Sequence, residues 1–451
     1  MASVFANDMV LQQKTKAPVW GWATPGKRIT VTGSWNHQVV TSTAGADGQW
    51  KAFLQTPAAG GPYEVLISGD NTIRLKNVLI GEVWLCSGQS NMEMPMKGFK
   101  GQPVIGANEA ILHSSNYNIR LYTVPRDFSV EPKDNSKPSE WKEAAPEAVS
   151  NFSATAYYFG KELYELLHVP IGLINVSYGG TSVETWMDAG TLKAFPEIKV
   201  PLKSDTTISA FRTPTVLYNA MLHPVIGYGI KGMIWYQGES NYDRPDQYET
   251  LFPAAVKLWR SQWNEGNFPF YYVQIAPYNY AQLPPYHVGG KYNSAYLRDA
   301  QRKALEQIPN AAMAVLMDLG DEATIHPPHK KEVGQRLALL ALAKTYNLKG
   351  FGAESPAFDT LTVSNGIAEL RFRNASNWLT SYGKALSHFE IAGKDKVFYP
   401  ATAVIYRSTV KVSSPQVKEP VAVRYAFNDF VFGDLFSTEG LPVSSFRTDN
   451  W

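Results

Sequence analysis

A chain of 451 residues is longer than the roughly 250–300 that one hydrophobic core usually spans, so two or three domains are expected. Lysines and arginines number 42 against 40 acids, a formal net charge of +2 with no basic cluster. That balance excludes long-range recruitment by nucleic acid or membrane, and no apolar run reaches the about 18 residues of a membrane span. The single cysteine, Cys86, rules out an intrachain disulfide and a multi-cysteine zinc site and reads as a small core residue.

Residues 1–78 read as a β domain. The segments 29–32 and 64–68 are short and β-rich, and Asp47-Gly48 and Gly60-Gly61-Pro62 punctuate the chain between them, the pattern of a small β-sandwich that buttresses the next domain. From 79 to 349 strands alternate with helices: 153–167 has helical spacing ahead of an apolar strand at 171–176, and further helices are expected over 248–263 and 331–346. Such alternation implies an α/β domain of three layers, a parallel sheet with helices on both faces. From 350 to 451 the period-two pattern returns, at 367–372 and 409–412, and predicts a second β-sandwich-like domain. Stretches rich in polar residues, proline and glycine at 97–118, 127–147 and 277–294 read as loops.

Four strand ends in the middle domain carry chemistry. Residues 83–86 are an apolar run that turns abruptly into Ser87-Gly88-Gln89-Ser90-Asn91, which would deliver a hydroxyl to the carboxyl edge of the sheet, where open α/β folds bind ligands. Ser90 is the candidate nucleophile. It needs a base and oxyanion donors. Strand 171–176 runs into Gly179-Gly180-Thr181, strand 232–236 into Gln237-Gly238-Glu239-Ser240-Asn241, and the segment from 314 leads through Asp321 and Glu322 to His326-Pro327.

These blocks, with 5–12 at the start of the chain and 440–449 at its end, resemble the sialate O-acetylesterase family of SGNH hydrolases, over essentially the whole length. The resemblance implies a flavodoxin-like SGNH catalytic domain and a carbohydrate O-acetylesterase that needs no cofactor and no metal. Ser90 would be the nucleophile and His326 the base. The backbone N–H of Ser90, that of Gly180 and the side-chain amide of Asn241 would form the oxyanion hole. Gln89 and Gln237 would bind substrate, and Glu239 would be a structural or substrate-orienting group.

One position departs from the pattern. Many SGNH enzymes place an aspartate three residues before the histidine, and here that position is Ala323. Asp321 is the favoured orienting acid; Glu322 and a backbone carbonyl stay open. The expected substrate is 9-O-acetylated sialic acid, with acetylated plant polysaccharide, xylan or xyloglucan, as the alternative. A site arginine would favour the former, and Arg126, Arg212 and Arg244 are the candidates. Trp186 and Trp235 read as sugar platforms or core, Trp235 as core because it lies within a strand. The resemblance also implies a periplasmic or secreted protein that begins near its mature start, and neither nucleic acid nor membrane is an expected partner.

Other enzyme classes fit the residues less well. Gly88-Gln89-Ser90-Asn91-Met92 is not a Gly-x-Ser-x-Gly elbow. Glu239 and Asp321 could be proposed as a glycosidase pair, but their neighbours suit an esterase better. His326 and His329 flank Pro327-Pro328 without a convincing third metal ligand. A carbohydrate-binding protein that has lost turnover is the non-enzyme alternative; the missing aspartate feeds it and the retained blocks oppose it.

Overall fold

The computed structural model describes residues 1–205, 208–209, 212–283 and 293–451, so part of the expected loop at 277–294 lies outside the described residues. The chain forms two compact units. The first comprises Met1–Gln237, Ala254–Phe270 and Lys330–Ala338; the second comprises Gly238–Pro253, Tyr271–His329 and Leu339–Trp451.

The first unit begins with short strands: β1 (Val10–Gln12), β2 (Lys16–Trp22), β3 (Arg28–Gly33), β4 (Val39–Thr43), β5 (Gln49–Gln55) and β6 (Gly60–Ser68). β2 pairs antiparallel with β5, and β3 antiparallel with both β4 and β6. β5 shows why: Trp50, Ala52 and Leu54 are buried while Lys51, Phe53 and Gln55 face outward, the period-two alternation of a half-buried strand.

β7 (Thr72–Gly88) joins this region to the α/β sheet. Its first residues alternate and pair with β6, whereas Val78 to Gly88 are all buried. The boundary expected at residue 78 therefore falls inside one continuous strand. Around β7 stand β8 (Asn116–Thr123), β9 (Trp141–Ala144), β10 (Ile171–Ser177) and β11 (Gly232–Tyr236), in the order β11-β7-β10-β8-β9. The first four are mutually parallel and β9 is antiparallel. Every residue of β10 and β11 is buried, which is why both read as unbroken apolar runs.

Helix Ala154–Leu167 packs against this sheet, Phe159 meeting Trp84 edge-on at 5.0 Å, and Ser153 caps it by accepting the Ala156 N–H at 3.1 Å. The two other expected helices are Pro245–Trp263 and Lys330–Lys344. Cys86, Trp186 and Trp235 are core residues with no exposed surface, and burial pushes the Cys86 thiol well above its usual value.

The second unit contains two four-stranded antiparallel sheets. One runs 357–364, 367–373, 409–413, 402–406; the other runs 398–400, 389–392, 422–425, 446–447. Phe446 of the second sheet stacks on Phe358 of the first at 4.9 Å, a ring contact that joins the two sheets. The α/β fold flanked by antiparallel β structure is the one the sequence predicts. Among the described residues no helix is long and apolar enough to cross a membrane.

Candidate active site

In the first unit, β7 ends at Gly88, whose φ is 143° and whose Cα lies so close to the Tyr236 carbonyl that a Cβ would meet its oxygen at 2.1 Å. Only glycine fits there. The Gln89 N–H donates to that same carbonyl at 2.9 Å, and the Tyr178 N–H to the Gly88 carbonyl at 3.1 Å, so the ends of β11 and β10 bracket the turn. Gln89 is the N-cap and Ser90 the first residue of a one-turn helix, Ser90–Glu93. Ser90 is thus not the cap. From Gly81 to Met92 every residue is buried except Ser90, which keeps partial access to solvent.

The rest of the turn is tied down. Ser153 Oγ donates to the Met92 carbonyl at 2.5 Å, Thr155 Oγ1 to the Asn91 carbonyl at 3.2 Å, and buried Lys330 donates from Nζ to Asn91 Oδ1 at 2.5 Å. Lys330 also sits 5.6 Å over the Tyr236 ring.

The Gly179-Gly180 loop lies against Ser90: a Cβ at Gly179 would come 3.3 Å from Ser90 Cβ and 3.1 Å from Glu93 Oε2. Glu93 Oε2 accepts the Gly179 N–H at 2.8 Å. Arg126 grips the same carboxylate with Nε and Nη2, both at 2.6 Å, and lies 4.6 Å over the Tyr178 ring; Glu93 in turn holds the guanidinium pKa above its ordinary value. Farther along the loop, Thr181 Oγ1 donates to the Tyr178 carbonyl at 2.8 Å and accepts the Trp186 indole N–H at 3.0 Å. Gln237, fully buried, donates to the Thr181 carbonyl at 3.1 Å. Gln89 is also buried.

In the second unit, Gly238 leads into a 3-10 turn, Glu239–Asn241, where the Asn241 N–H bonds the Gly238 carbonyl at 2.8 Å; Glu239 and Asn241 are buried. Arg244 donates from Nη1 to Gln247 at 2.8 Å. Arg212, in the first unit, is exposed.

The loop that carries His326 is shaped by Asp321. Its Oδ1 accepts the N–H groups of Ala323 at 2.8 Å and Thr324 at 3.1 Å, and Thr324 Oγ1 accepts the His326 N–H at 3.2 Å. This is a side-chain turn that sets the histidine's backbone. Glu322 is exposed.

The structure therefore brings Ser90, Gly180, Gln89 and Gln237 together on the first unit, and Asn241, Glu239, Asp321 and His326 stand on the second. Glu93, Arg126 and Lys330 were not singled out from sequence as parts of the turn that carries Ser90. For Glu93 a signal exists: Ser90-x-x-Glu93 is the spacing of a capping box, although the carboxylate reaches Gly179 instead.

A serine presented at the carboxyl end of a parallel sheet, with a glycine loop packed against it, suits a carboxylic ester hydrolase, and the comparisons agree. The model of the carbohydrate esterase family described as sialic acid-specific acetylesterase matches residues 80–343. The chain belongs to this family. The mouse sialate O-acetylesterase is 33% identical over 430 residues, covering 82% of this chain and 78% of its own, and the human one is 33% identical over 388 residues, covering 79% and 72%. A solved carbohydrate acetylesterase from Xanthomonas citri superposes with a TM-score of 0.90 at 36% identity, over 100% of this chain and 99% of its own. The fold is of the SGNH type, and the chain is a carboxylic ester hydrolase acting on O-acetylated carbohydrate.

Proposed function

We propose that the chain removes the acetyl group from 9-O-acetylated sialic acid, with Ser90 as nucleophile and His326 as general base. Ser90 Oγ forms a bond to the acetyl carbonyl carbon as His326 takes its proton. The backbone N–H groups of Ser90 and Gly180 and the side-chain amide of Asn241 hold the resulting oxyanion, a donor of this kind being worth about 2.7–4 kcal/mol. The ester C–O bond then breaks, His326 returns the proton to the sugar oxygen, and water releases acetate from the acetyl-serine. Asp321 orients His326; Gln89, Gln237 and Glu239 shape the substrate site. No cofactor takes part, and the protein works in the periplasm or outside the cell.

The observation that carries this reading is Ser90 as the only accessible residue of an otherwise buried strand end, with the Gly179-Gly180 loop packed against it. The Ser90 N–H supports the oxyanion role as well, since the first N–H of a helix has no intrahelical acceptor. For the sialate substrate the support is membership of the sialic acid-specific family and Arg126, a half-exposed cation paired with Glu93, which lies in the same one-turn helix as Ser90. A second reading, acetylated xylan or xyloglucan, is favoured by the fact that Arg126 already grips Glu93.

Acetate release from 9-O-acetyl sialic acid and from acetylated xylan oligosaccharides, by wild type and Ser90→Ala, tests both. Serine-dependent release from the sialate is expected. Release from xylan alone moves the substrate to the second reading. Release from neither, with glycan binding intact, returns the protein to a binding role.

A further inference from the structure

A groove of about 720 Å³ lies in the first unit, and none of its lining residues belongs to the site around Ser90. One wall is the outward face of β5, where Lys51, Phe53 and Gln55 succeed one another at every second position. The end of helix Pro245–Trp263 and the turn after it also line it, with Gln262, Asn264 and Glu265, as do Ile226, Gly227 and Gln38.

Two features of this groove bear on what it could hold. Phe53 leaves 50% of its surface exposed inside a concavity, with the Lys51 ammonium 5.6 Å from its ring. A single exposed aromatic is common; one set within a cleft of ligand size is less so. In addition, four amide side chains, Gln38, Gln55, Gln262 and Asn264, line the same groove, and none of them makes a side-chain hydrogen bond among the described residues. Each offers donors and an acceptor together. Pyranose rings present an apolar face of C–H groups and an edge of hydroxyls that both donate and accept. Phe53 matches the face and the amides match the edge.

We propose that this groove holds a segment of the glycan chain that carries the acetyl ester, a second carbohydrate site built between β5 and the end of helix Pro245–Trp263. It anchors a polymeric substrate while leaving the hydrolysis of small esters alone. The shared chemistry is the pyranose ring, from either a neutral chain such as a xylan or the hexoses beneath a sialic acid.

The test is calorimetric titration of the whole Ser90→Ala chain with unacetylated xylohexaose and, separately, with 3′-sialyllactose. Saturable binding of at least one is expected, weakened tenfold or more when Phe53→Ala or the pair Gln262→Ala and Asn264→Ala is added. In the otherwise wild-type chain, Phe53→Ala should leave kcat/KM for 4-nitrophenyl acetate unchanged and raise KM on an acetylated polymer several-fold. Equal affinity with and without Phe53 and the two amides, or no binding of either sugar, overturns the proposal. The binding arms need no turnover, so loss of the esterase reading alone leaves them standing.

Discussion

Glu93 and Arg126 form an ion pair, and the structure says which partner matters. The Arg126 side chain is 57% exposed and that of Glu93 14%. A pair with its cation so solvated contributes about 1 kcal/mol or less. The other contact of Glu93 is different in kind: its Oε2 is the acceptor of the Gly179 N–H at 2.8 Å, a charge-assisted bond worth about 1.5–3 kcal/mol, in the loop packed on Ser90. Arg126→Ala should therefore cost about 1 kcal/mol of stability, and Glu93→Ala about 2–3 kcal/mol because it also leaves that N–H without its acceptor. Glu93→Gln retains an acceptor oxygen and should fall between them. The loop also carries Gly180, so its displacement should reach turnover, where a misplacement of about 1 Å can cost on the order of 100-fold. Urea unfolding and kcat on 4-nitrophenyl acetate measure the two effects. If Arg126→Ala proves as damaging as Glu93→Ala in both assays, the ion pair and not the Gly179 bond is what holds the loop, and the reasoning fails.

Asp321→Asn retains an Oδ1 for the Ala323 and Thr324 N–H groups and removes only the charge, whereas Asp321→Ala removes both. If Asp321 orients the His326 ring through its charge, kcat should fall in the Asn variant with KM little changed; an unchanged rate would leave Asp321 a turn former and point to Glu322 or a backbone carbonyl. Glu265 is exposed as a residue, but the protein atoms crowding its carboxyl raise its pKa to about 7 from 4.5, against the smaller opposing pulls of the Ile230 N–H and Lys51. A folded-state value above the unfolded one means the folded chain holds the proton more tightly, so this group's contribution is greatest below about 4.5 and is lost as pH rises through about 7. The Tm of Glu265→Gln relative to wild type should rise between mildly acidic and mildly alkaline pH, and a difference independent of pH would refute the assignment.

Much of the fold was legible because its signals are local. β10 and β11 read as strands because a parallel sheet buried on both faces makes every position apolar, and helix Ala154–Leu167 because its spacing and its Ser153 cap sit within one stretch of chain. The blocks at Ser90, Gly180, Asn241 and His326 were legible for the same reason: each is a strand or segment that gives way to a short polar turn. β7 was only half visible. Its first part alternates and its second does not, so one strand of 17 residues reads as two elements in different domains. Gln237 sits in a polar turn, a position that suggests substrate contact, yet it is fully buried with a bond to the Thr181 carbonyl.

What sequence could not show is how the turn that carries Ser90 is held, because its supports come from remote segments. Lys330 reaches Asn91 across 239 residues, and no pattern near either position announces the other. The arrangement nevertheless has a plain physical logic. Ser153, Thr155 and Lys330 all donate to Asn91 or Met92, while Glu93 accepts from Gly179, so the residues after Ser90 are fixed by groups on two helices and one loop. Ser90 itself is left with partial access to solvent. Hydrogen bonds made far away in sequence thus hold the turn that carries Ser90, and the attack proposed for Ser90 would need little reorganisation of it.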